Sequence, residues 1–472
     1  MEYPMFIGGE RVRTGERRTV RLPYDGTPVA EVYVAGPGEV EAAVAAAGAA
    51  APLMREMTLA ERAEILHRAY HRVQERREEL ALAVSSESGK PIREARVEVD
   101  RAMQTLLFSA DEARRLAGEV VPMEAAPTGK GHWAITVREP LGVIAAITPF
   151  NFPLNLSLHK IGPALAAGNA VVHKPASATP VSALLMAEIF HECGLPPGAL
   201  NVIPGPGGAI GDRLSTHPAV AMVTFTGSPD VGVRIRSLAG MKRVTLELGS
   251  NSALIVEEDA ELEEAVARAV PGSFANSGQV CISIQRIYVH HKVAGEFTDR
   301  FVEATRRLKI RHPHDPSTDI SSLITEAEAI RVEEWIAEAV QAGAQLLTGG
   351  SRRGATVEPA VLAGVPPHVR LSCREVFGPV VGVNAYDTLE EAIELVNRSD
   401  YGLQAGIYTR DIGKAFYAAR KLHVGGVMIN EIPQYRVDHM PYGGVKLSGT
   451  GREGPRYAID EMTERKLICW RL

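Results

Sequence analysis

Hydrophobic and polar positions change their rhythm along this chain. Between residues 55 and 115, Leu and Val recur at helical spacing among Arg and Glu, which predicts charged amphipathic helices. From Leu141 to Thr148 the pattern becomes a continuous apolar run with the length of a buried strand. A helical stretch follows through Ala167, then a short strand from Ala170 to His173. The alternation continues with a helix near 181–193, a strand near 200–203, a helix near 208–215, a strand at 220–225, a helix near 230–238 and a strand at 243–248. Such alternation implies a parallel sheet covered on both faces. Ligands of these sheets bind beyond the carboxyl ends of the strands. Lys174, Gly205, Thr226 and Gly249 all fall just past predicted strands.

A second alternating region runs from about Asn251 to Asn430, so two α/β units with a cleft between them are expected. Residues 119–138 interrupt the first unit and read as a strand pair. The tail from Arg465 to Leu472 has apolar residues at alternate positions and also reads as a strand. A length of 472 residues is too great for one ordinary domain, in keeping with this division.

Composition mainly excludes. A net charge of −6 gives no electrostatic case for a nucleic-acid partner. The alanine-rich stretch from Ala42 to Leu53 is shorter than the roughly 20 apolar residues that cross a bilayer, so no membrane partner is expected. The start, Met1-Glu2-Tyr3-Pro4, lacks the basic and apolar regions of a signal peptide. The four cysteines, Cys193, Cys281, Cys373 and Cys469, are too widely spaced for a disulfide framework or a Cys-x-x-Cys metal pattern. A reducing cytoplasm and no metal are the expectations.

Candidate chemistry begins with Cys281, in Phe274-Ala275-Asn276-Ser277-Gly278-Gln279-Val280-Cys281. A lone cysteine is more often a small buried hydrophobe, but as thiolate it is a strong nucleophile. Asn151, in a proline-bracketed turn after a strand, carries an amide that can donate to a developing oxyanion; such residues also bond their own turns. Glu247 ends an apolar strand, where a carboxylate is either ion-paired or a general base. Gly205-Pro206-Gly207-Gly208-Ala209-Ile210-Gly211 is a strand-to-helix glycine cluster, although three residues rather than two separate Gly207 from Gly211. Thr226-Gly227-Ser228 precedes another helix, whose start favours anions.

These blocks occur in order with Phe150-Asn151-Phe152-Pro153, Lys174-Pro175-Ala176, Leu246-Glu247-Leu248-Gly249, Glu375-Val376-Phe377-Gly378-Pro379 and Gly443-Gly444-Val445-Lys446-Leu447-Ser448-Gly449. Together they resemble the NAD(P)-dependent aldehyde dehydrogenase superfamily over nearly the whole chain. The resemblance implies an α/β, aldehyde dehydrogenase-like fold with a Rossmann-like cofactor domain, an α/β catalytic domain and a small β oligomerisation arm. The corresponding boundaries are 1–118 with 139–249 for the NAD(P)-binding domain and 250–445 for the catalytic domain. Residues 119–138 and 446–472 form the arm and tail, which in the family pair between subunits, so a homodimer or homotetramer is expected.

The resemblance also implies roles. Cys281 is the nucleophile, Asn151 the oxyanion donor and Glu247 the base that activates water against a thioester. Lys174 binds the adenosine ribose of NAD or NADP, and Glu375 binds the nicotinamide ribose beside Phe377. Gly207, Gly211, Thr226, Gly227, Ser228 and Val231 lie along the adenosine diphosphate half. Thr148, Pro149, Phe150 and Leu248 complete the cofactor contacts. Many NAD-preferring members carry Glu where Ser177 stands, so NADP is not excluded here. The usual double glycine after the base strand is Gly249-Ser250, which is expected to alter packing near the nicotinamide.

For the substrate, Phe152, Val280 and Ile282 flank the catalytic residues, and His159 replaces a tryptophan common in relatives. Arg101 and Arg436 stand where relatives acting on short anionic or hydroxylated aldehydes place basic residues. The resemblance is nearest to lactaldehyde, non-phosphorylating glyceraldehyde-3-phosphate and phosphonoacetaldehyde dehydrogenases. Against an anionic substrate, Val280 stands where several phosphate-handling members have Arg; the bland alternative makes Arg101 a surface residue and His159 a core histidine. The function implied is oxidation of a small polar or anionic aldehyde to its acid. The alternatives are a CoA-acylating semialdehyde dehydrogenase, which Glu247 argues against, and a non-catalytic member of the fold, which intact Cys281, Asn151 and Glu247 argue against.

Overall fold

The computed structural model describes residues 1–471. Its first large sheet has five parallel strands at its centre. In spatial order they are Arg243–Glu247, Met222–Thr226, Val143–Ile147, Ala170–Lys174 and Leu200–Val202. Chain order runs outward from Val143–Ile147 in one direction, then returns to its other side with Met222–Thr226. That reversal opens a crevice beyond the strand ends, where Thr148 and Gly227 begin. The four strands other than Arg243–Glu247 are buried throughout, as continuous apolar runs require when helices cover both faces. Helices Asn155–Ala166, Val181–Glu192, Gly207–Thr216 and Pro229–Leu238 supply the connections.

The amphipathic region forms four helices, Pro37–Glu56, Leu59–Glu75, Arg77–Ser88 and Ile92–Arg115. Leu59–Glu75 starts with a capping box in which Thr58 and Glu61 satisfy each other's backbone N–H groups.

A second sheet of seven strands follows, with Ala253–Val256, Arg286–His290, Val380–Tyr386 and Gln404–Tyr408 at its parallel centre. Its apolar core, around Leu254, Phe274, Ile287 and Phe301, is separate from that of the first sheet.

The interrupting segment and the tail join within this one chain. His132–Pro140 pairs with Val120–Val121 on one side and with Thr463–Arg471 on the other, giving a three-stranded antiparallel sheet. The stretch from 446 also reaches the first sheet. Gly449–Thr450 pairs antiparallel with Arg243–Glu247 and extends the first sheet. Helix Pro455–Glu461 packs on Asn155–Ala166. The late chain is thereby brought back against the strand that carries Glu247. Among the described residues no helix is long and apolar enough to cross a membrane.

Candidate active site

Cys281 lies at the end of an unusual backbone segment. Helix Leu262–Phe274 stops, and Asn276, Ser277 and Gly278 then take left-handed conformations in succession, with φ of 50°, 56° and 75°. Two non-glycine residues in this region store backbone strain, which surrounding contacts must hold. Asn276 N–H donates to a carboxylate oxygen of Glu94 at 2.6 Å, and the Ser277 hydroxyl donates to the Ser321 carbonyl at 3.1 Å. The Gln279 side chain accepts from Ile324 N–H at 2.9 Å. Gly278 has no alternative, since a Cβ there would stand 2.1 Å from the Gly378 carbonyl oxygen.

Asn151 reaches the same loop from the end of Val143–Ile147. Its Nδ2 donates to the Gln279 carbonyl at 2.9 Å, and Asn276 Nδ2 donates back to the Asn151 carbonyl at 3.2 Å. Cys281 is half-buried, and its Sγ lies 2.8 Å from the Tyr442 hydroxyl. Burial pushes the thiol up to about 11, against the lowering effects of Tyr442 and Arg436. The resting group is therefore a thiol and needs a base to become a nucleophile.

Glu247 is 2 % exposed, and neither carboxylate oxygen has a hydrogen-bond partner. Burial first, then repulsion from Glu453, raise its pKa well above the usual carboxylate range. The ion-paired alternative does not hold for it. An orphaned buried carboxyl is costly, and such groups concentrate where proton transfer is needed.

Residues for a dinucleotide gather at the crevice. A Cβ on Gly207 or Gly208 would meet nothing within 4 Å, so the first turn of Gly207–Thr216 faces open space with its free N–H groups. Lys174 Nζ donates to the Pro175 carbonyl at 2.8 Å, and burial lowers its pKa to about 8. Ser177 donates to the Gly205 carbonyl at 2.8 Å. Thr226 is buried with its hydroxyl unpartnered, while Gly227, Ser228 and Val231 lead onto the exposed start of Pro229–Leu238. Gly211 is buried within its helix. Leu248 is buried against Gly232, where a Cβ would come within 2.5 Å of its side chain. Thr148 bonds His173 at 2.9 Å, and half-buried Pro149 and Phe150 follow it. These features fit a bound NAD or NADP.

Glu375 accepts from Ser250 N–H at 2.9 Å, and burial lifts its carboxyl to about 7. The rings of Phe150 and Phe377 meet edge to face, 5.8 Å between centroids. The Gly249-Ser250 variation has a local explanation. A Cβ at residue 249 would stand 2.3 Å from a Glu375 oxygen, so any larger residue there would push the Glu375 carboxylate from its place. At residue 250 the carboxylate takes only the backbone N–H, and the serine hydroxyl turns to Ser252 at 3.1 Å.

A cavity of about 440 Å³ opens onto Cys281, lined among others by Arg101, Phe152, Val280, Ile282, Arg436 and Tyr442. His159 is not on this wall. It is fully buried one layer behind, where its Nε2 bonds Asp438 at 2.9 Å. Burial, then Arg436, lowers its pKa, so it stays neutral. Its core reading holds, because helix Asn155–Ala166 is buried along its whole length. Arg101, in contrast, does face the cavity, and it forks onto Asp438 at 2.8 and 3.1 Å. The Arg436 side chain is 5 % exposed, pairs with Glu453 at 3.2 Å and lies 3.6 Å from the centre of the Tyr442 ring. Lys160 shares Glu453 at 2.7 Å.

Sequence reasoning missed Tyr442, Asp438 and Glu453. Tyr442 immediately precedes the recognised Gly443-Gly444 block, so it was within reach. Asp438 and Glu453 have partners roughly 280 to 340 residues away and no local signal.

The sequence profile described as the aldehyde dehydrogenase family matches residues 12–468. A 3-sulfolactaldehyde dehydrogenase of Priestia megaterium is 50% identical over 471 residues, covering 100% of this chain and 98% of that protein. A lactaldehyde dehydrogenase of Methanococcus aeolicus is 39% identical over 468 residues, covering 98% and 99%. Among solved structures, an NADP-dependent glyceraldehyde-3-phosphate dehydrogenase from Bacillus halodurans, complexed with NADP, superposes with a TM-score of 0.97 at 36% identity, covering 100% of both chains.

Proposed function

The chain belongs to the aldehyde dehydrogenase family, and on that premise we propose that it oxidises a short anionic aldehyde, of the 3-sulfolactaldehyde type, to its carboxylic acid. The general activity is NAD(P)-dependent oxidation of a small polar aldehyde. The charge of the substrate is the finer reading. One observation carries it: two guanidinium groups, those of Arg101 and Arg436, line the cavity that opens onto Cys281, and the Arg436 Nε is buried there without an acceptor. The guanidinium pairs with Glu453 through another nitrogen, but a buried N–H left without an acceptor is costly, and an anionic substrate would relieve it. The relative named for a sulfonated aldehyde supports the same choice.

The chain's own groups supply the following steps. Glu247, directly or through water, takes the Cys281 proton, and the sulfur attacks the aldehyde carbon. The carbonyl oxygen becomes an oxyanion held by Asn151 Nδ2 and the Cys281 backbone N–H. A bound nicotinamide supplies hydride acceptance. The hydride leaves the thiohemiacetal carbon, and a thioester remains on Cys281. Glu247 gives the first proton up to solvent and, again a carboxylate, takes a proton from water, whose oxygen attacks the thioester; the C–S bond breaks, the sulfur leaves as thiolate and the acid departs.

A hydroxylated neutral aldehyde is the second reading, favoured by Arg101 being already engaged by Asp438 and by the lactaldehyde relative. A panel of sulfonate-, phosphate- and carboxylate-bearing aldehydes against neutral ones of equal length, each with NAD and NADP, tests both. Matched efficiency on neutral and anionic members would reject the anionic reading. The exposed apolar residues Trp133, Leu467 and Trp470 on the three-stranded sheet support a homodimer or homotetramer. Four cysteines without a disulfide support a cytoplasmic setting.

A further inference from the structure

We propose that Tyr442 belongs to the catalytic set: its hydroxyl, 2.8 Å from Cys281 Sγ, donates a hydrogen bond to the thiolate and thereby sets the nucleophile's acidity. This deepens the reading of Cys281 as nucleophile and rests on it.

The geometry around Tyr442 leaves its hydroxyl one task. The residue is 2 % exposed, and the sulfur is the one partner its hydroxyl has among the described residues. Its backbone is clamped at both ends of a bridge: Tyr442 N–H donates to the Glu453 carbonyl at 3.1 Å, and Glu453 N–H donates back at 2.7 Å. Arg436 covers the ring, 3.6 Å from its centre. The bridge fixes the backbone that carries the ring, and the buried ring cannot swing its hydroxyl away without leaving the Arg436 stack.

The charge arrangement assigns the direction of the hydrogen bond once the thiol ionises. A thiolate has no proton and can only accept, while a phenol can donate. Burial and the neighbouring sulfur push the Tyr442 hydroxyl well above its ordinary range, so it keeps its proton at any pH where the enzyme works. The guanidinium over the ring face draws electron density from the phenol and strengthens it as a donor. Hydrogen bonding to the charged form favours that form, which opposes the burial that raises the thiol. Arg436 therefore acts on the sulfur both by its own charge and, through the ring it covers, as a positioning residue for Tyr442. When the sulfur attacks the carbonyl carbon, its lone pair becomes the S–C bond and the hydrogen bond to it weakens. The Tyr442 proton never leaves its oxygen, so no acid or base beyond Glu247 is required.

Tyr442→Phe keeps the ring, the bridge and the stack and removes only the donor. The rate of Cys281 alkylation by iodoacetamide should be followed from pH 6 to 11 by mass spectrometry of the peptide carrying Cys281. This needs neither aldehyde nor cofactor, so it can fail while the substrate reading stands, and the reverse. Loss of a hydrogen bond to a charged group predicts an upward shift of about one to two pH units in the alkylation profile. On the acidic limb this reads as about 10- to 100-fold slower alkylation. NADP binding should be retained. If Tyr442→Phe does not fold, Tyr442→Met fills the same space without a donor and carries the same expectation. A profile that superposes on that of the wild type in a folded variant overturns the proposal.

Discussion

The Asn151 side chain is tied to the carbonyl of Gln279, two residues before the nucleophile, by a 2.9 Å hydrogen bond. A side-chain amide has two donor hydrogens, and this bond uses one. The other is left for an oxyanion, and the tether fixes where it lies. Asn151→Ala should lower kcat by about 10²–10³-fold, the effect of losing one such donor. The Gln279 carbonyl would still accept from Asn276 Nδ2 at 3.3 Å, so the melting temperature should change little. Near wild-type turnover in Asn151→Ala would remove the amide from the mechanism.

Glu247 is expected to act in its charged form, yet its buried site favours the neutral one. Wild-type kcat should therefore rise with pH along a limb displaced upward from the ordinary carboxylate range, provided deacylation limits turnover. In Glu247→Gln, rapid mixing should show a burst approaching about one reduced cofactor per site, followed by very slow turnover. Loss of the burst as well would mean that Glu247 also activates Cys281. Unchanged steady-state turnover would exclude it from both steps.

The strands and helices of the first sheet were legible because each is a local run of apolar residues with its own period. Val143–Ile147 and Met222–Thr226 lie within two residues of where the pattern puts them. The reactive residues were legible through short blocks around Cys281, Glu247 and Asn151. What stayed hidden was decided by distant pairing. His159 has no sequence mark that separates a cavity wall from a core, since the groups that hold it inward, Asp438, Arg436 and Thr105, are all far along the chain from it. The pairing of Gly449–Thr450 with Glu247's strand was hidden for the same reason, because two residues carry no periodicity.

Cofactor choice should depend on pH through Lys174. Its ammonium has a pKa lowered to about 8 by burial, so it is charged below that and neutral above. A 2′-phosphate gains from that charge, and a 2′-hydroxyl gains less. The KM for NADP should rise relative to that for NAD as pH climbs from 7 to 9. Ser177→Glu should reduce NADP use at every pH by placing a like charge near the phosphate. Strict NAD use by the wild type, or a flat ratio across this range, would show that another element sets the preference.

Substrate charge is best tested at Arg101 rather than Arg436. Removing Arg436 would also free the Tyr442 ring and unbalance Glu453, so it should slow neutral and anionic aldehydes alike. Removing Arg101 takes the cationic partner from Asp438 but leaves its hydrogen bonds to His159 at 2.9 Å and Asn155 at 3.0 Å, and does not touch the Tyr442 ring. A charge-assisted hydrogen bond is worth roughly 1.5–3 kcal/mol, which is about 10- to 150-fold in specificity. Arg101→Met should cost that much in kcat/KM for aldehydes bearing sulfonate, phosphate or carboxylate, while sparing a neutral aldehyde of equal length. Added salt should weaken the wild-type preference only slightly, since the contact is in a cleft and poorly screened. Equal kcat/KM on matched neutral and anionic aldehydes, unchanged by Arg101→Met, would assign the cavity to a neutral hydroxylated substrate instead.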